Sequence, residues 1–541
     1  MPESTPPSAL FKGRPSVALT AAVTVLAATA CGQPATRDTG GSAGYTLSAS
    51  TPVAKGDIDS FSWSTYAEPP TLDYIYAFDY PQNMILSNVC ESLMRWTPQL
   101  GLEPGLASAV KQPDPRTFVY RIRPGVRFHS GGEVSADDVV YSLRRHLDAG
   151  LGSYWAKSFD RVASIDKSGP MEVTVRLKRP DSQFNQWMAT SAGTVVNPRA
   201  VEAKGENYGN PDGGVDCTGP YRLGTWRKGE SIEIDRFAGY WGKPAKAAKV
   251  GFRFITDPAA RTNAMLTGEV DGGYLIGPDS YAGLTRSGKG TLYFGKSLTT
   301  VNLAFTNLKG TLGDVRVRRA LSLALDREGF IKTGLQAVGS PAAAPAPRDA
   351  WQNGPSLPPV KRDLAAAKEL IRQAGATGKK ITIATSPIGS DVSLLATAAQ
   401  AAGTGIGLDV ELKTIAPDAY TALFSDPKAR AAVDLFPCTY YLSITDPLAN
   451  YSIFRSDGFE NYMGYSGPAY DALVDQAVAE YDPAKRAALT ARLQEKVTEQ
   501  VLWIPVAEWP TSLFLGKRIT GAPTSIAYMY YPWAADVGAA G

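Results

Sequence analysis

The chain has 541 residues, of which 44% are hydrophobic, 20% are charged and 10% are aromatic. A chain of this length and composition can bury a large core, and two or three domains are expected. Its 55 basic and 52 acidic residues are spread along the sequence, and the formal charge of +3 argues against nucleic acid as a partner.

The first 30 residues have the pattern of a secretory signal peptide. Lys12 and Arg14 precede an uncharged run, PSVALTAAVTVLAATAC, which is too short to span a bilayer and ends in small residues. We therefore exclude residues 1–30 from the fold. The ending ATAC, followed by Gly32, resembles a bacterial lipobox with Ala28 in place of the usual Leu, and it predicts a lipidated Cys31. Secretion with cleavage nearby is the alternative.

Residues 31–56 are predicted to be the lipidated cysteine and a flexible tether, because the segment carries few large apolar groups. Each buried methylene of an acyl chain contributes about 0.8 kcal/mol, so a diacylated Cys31 would hold the protein on a membrane. The expected location is extracytoplasmic, anchored by lipid to the outer face of a bacterial cell membrane.

Three further cysteines, Cys90, Cys217 and Cys438, allow at most one disulfide, and the sequence leaves open which pair forms it, if any. Three small buried hydrophobic side chains are the alternative. The chain has only two histidines and no closely spaced Cys or His pair, so a zinc or haem-ligand site has little support. We predict no cofactor and no metal, although carboxylate-only metal sites stay open.

Past the tether, strand and helix patterns alternate. Clustered or alternating β-forming residues predict strands at 57–64, 117–128, 172–177 and 249–255. Cap signals and periodicity predict helices at 135–148, 315–334, 363–375 and 469–500, the last interrupted at Pro483. The first of these is expected to begin with Ser135 as its N-cap and Asp138 three residues further on. A mixed α/β fold with several sheets follows.

Five ordered segments carry a family resemblance. They are TLDYIYAFDYPQNMILSNVCESLMRW, LEPGLASAVKQPDPRTFVYRIRPGVRFHSGGEVSADDVVYSLRR, CTGPYRLGTWRKGESIEIDRFAGYWG, FITDPAARTNAMLTGEVDGG and DVRVRRALSLALDRE. In this order they resemble the solute-binding proteins of peptide and nickel ABC importers, family five of the extracellular binding proteins. The resemblance runs from about Ile58 to Trp533.

The resemblance implies an α/β bilobal clam, a type II periplasmic-binding-protein-like fold with an extra inserted subdomain. The parts would be one lobe at 57–91, 217–298 and 498–541, its inserted subdomain at 92–216, and the other lobe at 299–497. Two chain crossings, near Ser297–Val301 and Gln494–Leu502, would form the hinge. A monomer would enclose its ligand between the lobes and deliver it to an ABC permease with its ATPase, which requires no catalysis.

A catalytic function is the alternative to this binding role. The motifs SIDK at Ser164–Lys167, YGN at Tyr208–Asn210 and KTG at Lys332–Gly334 occur in the order used by serine penicillin-recognising enzymes. Ser164, however, precedes a strand-like segment where the nucleophile should open a helix, and motifs this short arise by chance. We predict no enzymatic activity. A sensor or chaperone lipoprotein of the same fold stays open.

The segment TYYLSITDPLANYSIF, residues 439–454, carries four rings and a single acidic side chain, Asp446. The family's peptide binders have an aspartate for the peptide α-amine four residues before the Pro of an acidic-Pro pair. Alignment on Asp446-Pro447 places Tyr440 at the family's aromatic position and Ser443 at the aspartate position. A shift of three residues would make Asp446 the anchor, and this alternative stays open.

The opposite wall of the implied cleft also carries rings. Alignment places Phe78 where oligopeptide binders can have a pocket glutamate, and Trp155 near the family's pocket tyrosine. Further ring candidates, each with a core position as its alternative, are Tyr76, Tyr80, Tyr154, Tyr441 and Trp509. Rings in place of carboxylates predict a ligand held by stacking and apolar contact, oriented by backbone hydrogen bonds.

Three ligand classes fit these features. A peptide or peptide-like solute comes first because it is the commonest ligand of the family. An aromatic or cyclic compound, such as a siderophore, glycoside or modified peptide, comes second because rings stack on Tyr and Trp. A nickel chelate comes third, since two histidines make naked nickel a poor fit.

Overall fold

The computed structural model describes residues 45–350, 357–458, 460–525 and 533–541. The predicted signal peptide and Cys31 lie outside the described residues. The strands are β1 (Ile58–Thr65), β2 (Met94–Trp96), β3 (Leu102–Pro104), β4 (Ala107–Asp114), β5 (Thr117–Ile122), β6 (Val162–Gly169), β7 (Glu172–Leu177), β8 (Tyr221–Arg227), β9 (Ser231–Arg236), β10 (Ala247–Phe254), β11 (Gly272–Tyr274), β12 (Gly290–Gly295), β13 (Thr299–Phe305), β14 (Ser340–Pro341), β15 (Lys380–Thr385), β16 (Asp409–Thr414), β17 (Leu435–Tyr441), β18 (Trp503–Glu508), β19 (Thr511–Gly516), β20 (Ile519–Thr520) and β21 (Gly538–Ala539).

Helices lie between most of these strands, as expected for a mixed α/β chain. They are α1 (Tyr80–Val89), α2 (Ala136–Arg144), α3 (Phe184–Trp187), α4 (Pro198–Lys204), α5 (Pro258–Thr267), α6 (Pro278–Ser287), α7 (Val315–Ala324), α8 (Arg327–Gly334), α9 (Leu364–Gln373), α10 (Ser390–Gly405), α11 (Pro417–Thr421), α12 (Pro427–Arg430), α13 (Pro447–Ser452), α14 (Pro468–Ala479) and α15 (Pro483–Gln500).

A seven-stranded sheet in the order β12-β19-β11-β1-β10-β9-β8 organises what we call the first lobe. Its middle strand, β1, runs parallel to both neighbours, β10 and β11. Phe61 and Trp63 of β1 lie two residues apart, so they point to the same face of the sheet, and both are fully buried. This sheet therefore carries the first-lobe core on a central parallel strand.

A six-stranded sheet in the order β14-β18-β13-β17-β15-β16 organises what we call the second lobe. The chain passes from one sheet to the other between β12 and β13, and again between β18 and β19. The sequence prediction assigned 498–541 to the first lobe, but β18 pairs with β13 in the second-lobe sheet. We therefore propose the second crossing at residues 509–510 and keep the remaining lobe boundaries as predictions.

A four-stranded antiparallel sheet, β4-β5-β7-β6, is the basis of the inserted subdomain. Ser164 lies on β6, where its hydroxyl donates to Asp166 at 2.6 Å, while Lys332 lies on α8 of the second lobe. The penicillin-enzyme motifs thus occupy separate parts of the fold and assemble no triad.

Local signals explain most of the helix ends. Ser135 and Asp138 form the capping box that starts α2, as predicted. The single helix predicted at 315–334 is two helices, because Leu325 is extended and the Asp326 side chain caps α8 through the Gly329 amide. An aspartate cap therefore restarts a helix inside one hydrophobic pattern.

The second half of the predicted tether is packed on the first lobe, which corrects the expectation of flexibility for these residues. Thr51 donates its amide to Ala522 at 3.0 Å, and Lys55 donates to Ala539 at 2.9 Å. The Tyr45 ring packs 5.3 Å from that of Phe294 on β12. Tyr45 therefore already belongs to the folded lobe.

The cysteines resolve the choice that the sequence left open. Cys90, at the end of α1, is bonded to Cys217, which lies 127 residues further along the chain. Cys438 on β17 is a free, buried thiol. Within the described ranges, no helix is both long enough and apolar enough to cross a membrane.

Candidate ligand-binding cleft

Three aromatic side chains in the described part of the chain stand exposed: Tyr76, Phe78 and Tyr154 are 39%, 43% and 40% accessible. All three were predicted site residues. The Phe78 and Tyr154 rings stack with centroids 5.0 Å apart and an interplanar angle of 26°. Exposed stacked rings retain apolar surface that a ligand can cover.

The segment that carries Phe78 is fixed from both ends. The Asp73 carboxylate forms a buried bidentate pair with Arg145, with N–O distances of 2.9 and 2.7 Å. Asp79 caps α1, and the Gln82 side chain accepts hydrogen bonds from the Phe78 and Asp79 amides. These contacts order the backbone on which the exposed ring is mounted.

Tyr154 rests on a buried tryptophan. Trp155 is only 2% exposed and donates its indole N–H to the Ala77 carbonyl at 3.1 Å. The Tyr154 and Trp155 rings meet edge to face at 5.1 Å. The predicted site residue Trp155 thus lies behind the wall, and in this arrangement it acts on a ligand only by supporting Tyr154.

The second lobe supplies the facing rings from the end of β17. Tyr441 contacts Tyr80 of the first lobe with ring centroids 5.3 Å apart, and Tyr440 stacks against Tyr441 at 6.4 Å. Both β17 tyrosines are partly buried. The Tyr80–Tyr441 pair therefore joins the aromatic walls of the two lobes.

One carboxylate that the sequence analysis missed belongs to this wall. Glu460 is partly exposed, and its Oε2 accepts a hydrogen bond from the Tyr440 hydroxyl at 2.7 Å. Desolvation raises the pKa of Glu460, and the Glu460 charge adds to the burial that raises the pKa of Tyr154. The sequence signal was weak: a lone acid in FENYMGY, twenty residues after Tyr440.

Asp446, the alternative amine anchor, is engaged elsewhere. It is 4% exposed and caps α13 by accepting the Leu448 amide at 2.9 Å. The Arg486 guanidinium lies 3.7 Å from its second oxygen. Ser443 is partly buried between two fully buried neighbours, Leu442 and Ile444. The geometry gives Asp446 a helix-capping role.

Two predicted rings lie outside this group. The Tyr76 hydroxyl donates to the Leu151 carbonyl at 2.8 Å, and Tyr76 lines a recess of the first lobe and its subdomain together with Asp73 and Arg145. Trp509 follows β18, on the other side of β13 from Tyr441, and packs between the second-lobe core and a small apolar cluster of the first lobe. The structure brings together Phe78, Tyr154, Tyr440, Tyr441 and Glu460.

Polar contacts connect the inserted subdomain with the second lobe beside the cleft. Arg161 pairs with Asp475 of α14 at 2.7 Å, and Asp475 also accepts from Arg455 at 3.0 Å. The Ser182 amide donates to the Val478 carbonyl at 2.9 Å. In this structure these polar contacts hold the inserted subdomain against the second lobe, in addition to the Tyr80–Tyr441 ring contact.

The described residues contain no group of three or more His, Cys, Asp or Glu side chains that could hold a metal ion. The side chains that line the cleft as described above are rings, hydroxyls and the Glu460 carboxylate. Such a set can bind a solute by stacking and hydrogen bonding.

Comparisons with known proteins identify the family of the chain. The family model described as bacterial extracellular solute-binding proteins, family 5 middle, matches residues 101–462. The chain belongs to this family. Solute binding is accordingly its role, and its family and fold are those of binding proteins.

Curated relatives and solved structures resemble the chain over most of its length. Glutathione-binding protein GsiB of Shigella dysenteriae is 24% identical over 462 residues, 83% of this chain and 89% of that protein. Protein XP55 of Streptomyces lividans is 28% identical over 452 residues, 79% and 80% of the two chains. The periplasmic binding protein DppA of Helicobacter pylori, in complex with the peptide STSA, aligns with a TM-score of 0.79 at 22% identity, covering 90% and 99%. The fold is therefore the bilobal type II periplasmic-binding-protein fold.

Proposed function

We propose that this protein captures a peptide or peptide-like solute between its lobes and delivers it to an ABC permease and its ATPase. The observation that carries the proposal is the aromatic wall shared by both lobes, where Tyr80 meets Tyr441 beside the exposed Phe78–Tyr154 stack. A solute bound there contacts both lobes at once, so binding favours the closed arrangement.

Peptides suit this wall because their main chain hydrogen-bonds to strand edges while their side chains cover rings. GsiB is named for glutathione, and the DppA structure holds a tetrapeptide, so related chains bind short peptides. The same fold in a nickel-binding relative holds a nickel–histidine chelate, which keeps the chelate as the third ligand class.

An aromatic or cyclic compound is the second candidate. The nearly parallel Phe78 and Tyr154 rings, at 26°, offer a flat face, and the Phe78 position lacks the glutamate that the resemblance allows in an oligopeptide binder. A glycoside, siderophore or modified peptide would stack on this face. This candidate shares the site and differs only in the ligand.

The proposed setting is the outer face of a bacterial membrane, with Cys31 lipidated and the protein monomeric. A sensor or chaperone lipoprotein of the same fold is the competing role. Deletion of the gene distinguishes them, because loss of uptake of the bound solute supports transport and unchanged uptake supports the competing role.

Ligand retention tests the proposed function directly. Residues 45–541, purified and unfolded to release carried ligand, are refolded and dialysed against a random tripeptide mixture, glutathione and a phenyl glycoside, and retained compounds are identified by mass spectrometry. We expect peptide retention that falls about tenfold in Tyr441→Ala for the lost ring contact. Tyr465→Ala, a partly buried second-lobe ring outside the wall, is the matched control. Retention of the glycoside alone would replace the peptide by the second candidate.

A further inference from the structure

No Lys, Arg or His side chain among the described residues neutralises the carboxylate of Glu460. Its described hydrogen-bond partner is the Tyr440 hydroxyl on Oε2, and among the described residues it forms no ion pair. Two other carboxylates beside the lobes are paired with cations, Asp73 with Arg145 and Asp475 with Arg161. Asp79 instead accepts hydrogen bonds from the Tyr66 hydroxyl and the Tyr80 amide. An ionised carboxyl that is largely removed from water costs free energy unless a cation or several donors compensate it.

The surroundings of Glu460 suit a cation supplied by the ligand. Glu460 is partly exposed, so a ligand can reach its carboxyl group, and partial burial raises its pKa. The Tyr440 ring lies beside it, and its charge acts on Tyr154 of the facing wall. Tyrosine faces attract cations through their quadrupole, so carboxylate and rings act in the same direction.

We propose that Glu460 binds an ammonium group of the ligand and supplies, from a different segment, the negative charge absent at Ser443. This inference rests on the proposed function and adds the charge that its ligand must carry. It adds a charge contact to the stacking and apolar contacts that the sequence analysis predicts for the ligand. The ammonium can be a peptide α-amine or a lysine side chain.

Alternative partners for Glu460 fit the same surroundings less well. A metal ion needs several ligands, and Glu460 has phenols around it whose pKa values are raised by burial, so they stay protonated and bind metal weakly. A ligand anion would meet the Glu460 charge at close range. An ammonium has three N–H donors and a compact charge, which suits one carboxylate beside rings.

Three tripeptide pools of matched composition test the inference: free-amine peptides, N-acetylated peptides without basic residues, and N-acetylated peptides that contain one lysine. Each pool is dialysed against residues 45–541, and retained peptides are quantified by mass spectrometry. We expect at least tenfold higher retention of a cationic pool than of the neutral acetylated pool. Retention of the free-amine pool identifies the α-amine as the source, and retention of the lysine pool identifies the side chain.

Glu460→Gln keeps the shape of the side chain and removes its charge, so the preference for the cationic pool should disappear in this variant. Glu495→Gln, on the exposed side of α15, is the matched control and should keep the preference. Thermal unfolding near that of the wild type establishes that each variant is folded. If Glu460→Gln does not fold, Tyr440→Phe, which removes the hydroxyl on Oε2, should reduce the preference instead.

The outcomes separate the inference from the proposed function. Equal retention of cationic and neutral peptides by the wild type overturns the role of Glu460 and leaves a peptide ligand standing. An unchanged preference in Glu460→Gln also overturns it. Retention of no pool overturns the proposed peptide ligand and the inference with it.

Discussion

Ser443 lies in a short link between β17 and α13, where a neutral hydroxyl stands at the position that the resemblance gives to an aspartate. Ser443→Asp should raise the preference for free-amine over acetylated peptides about tenfold beyond that of the wild type, or about 1.4 kcal/mol. The reason is that a charge-assisted hydrogen bond contributes about 1.5–3 kcal/mol and a hydroxyl contributes less. Calorimetry with matched peptide pairs measures it, and Ser443→Asn is the uncharged control. An unchanged preference would show that the alignment register is wrong.

The buried carboxyl of Glu91 is expected to make the free energy of unfolding depend on pH. It accepts hydrogen bonds from Thr218, Tyr240 and Trp241 at 2.8–3.0 Å. Desolvation outweighs these donors and raises the pKa of Glu91 to about 7. The folded protein therefore binds a proton at Glu91 at a higher pH than the unfolded chain does.

This pKa predicts a pH slope. Because the folded-state pKa is the higher one, the free energy of unfolding should fall as the pH rises from the ordinary glutamate range through about 7. Glu91 contributes a change of about 3 kcal/mol over this window. Urea unfolding at pH 5 and pH 8 measures the slope. Glu91→Gln should flatten it, whereas Glu103→Gln, a more exposed neighbour on β3, should leave it intact. A slope shared by all three proteins would assign the effect to other groups.

At the scale of elements, the Cys90–Cys217 bond ties the end of α1 to the segment before β8 and spans the whole inserted subdomain. Reduction, or Cys90→Ser with Cys217→Ser, should destabilise the fold by about 2–4 kcal/mol because the unfolded chain regains entropy. Denaturant unfolding with and without reductant measures this loss. Cys438→Ser should keep its response to reductant, since Cys438 is a free thiol. A double variant that still responds to reductant would contradict the assigned pairing.

The helices and strands show which features of the fold can be predicted from the sequence. The α2 capping box is local and was predicted correctly, because its signal lies within four residues. The break between α7 and α8 was missed, since its cause, an extended Leu325 before an Asp326 cap, does not interrupt the hydrophobic period. The assignment of β18 depends on its pairing with β13, some 200 residues earlier in the chain.

In the candidate cleft, too, local features can be predicted from the sequence, whereas contacts between distant segments cannot. The rings of Phe78, Tyr154, Tyr440 and Tyr441 were found because aromatic residues are visible in a sequence. The burial of Trp155 behind Tyr154 and the bond from Tyr440 to Glu460 depend on how distant segments pack. Composition predicts an aromatic wall, whereas the place of Glu460 beside Tyr440 is visible only in the tertiary structure.

At the scale of the whole molecule, attachment to the membrane is decided by a residue outside the described structure. Cys31→Ala should release the protein from membranes, because the predicted acyl chains on Cys31 would be its only anchor. Labelling with a palmitate analogue should mark the wild type and not the variant, with Cys438→Ala as a control that stays labelled. Persistent labelling of Cys31→Ala would show that another site is acylated.

The contacts between the inserted subdomain and the second lobe are expected to stabilise a closed arrangement of the lobes. Asp475 forms salt bridges with Arg161 of the inserted subdomain and with Arg455 of the second lobe, and its side chain is 35% exposed. The Tyr481 hydroxyl adds a bond to the Asp181 carbonyl at 2.7 Å. These bonds form only when the two parts meet, so they stabilise the closed arrangement relative to an open one.

Asp475→Ala should therefore shift the protein toward the open arrangement. Partial exposure limits the loss to about 1 kcal/mol, which corresponds to an about fivefold weaker retention of peptide. Small-angle X-ray scattering should show that the wild type becomes more compact with a retained tripeptide pool and that Asp475→Ala compacts less. Asp471→Ala, on the same helix but bonded to Ser456 within the second lobe, should behave as the wild type does. Equal compaction of both variants would show that the lobes close without help from Asp475, and the closing free energy would then come from the ligand, the rings of the cleft and the remaining hydrogen bonds of Ser182 and Tyr481.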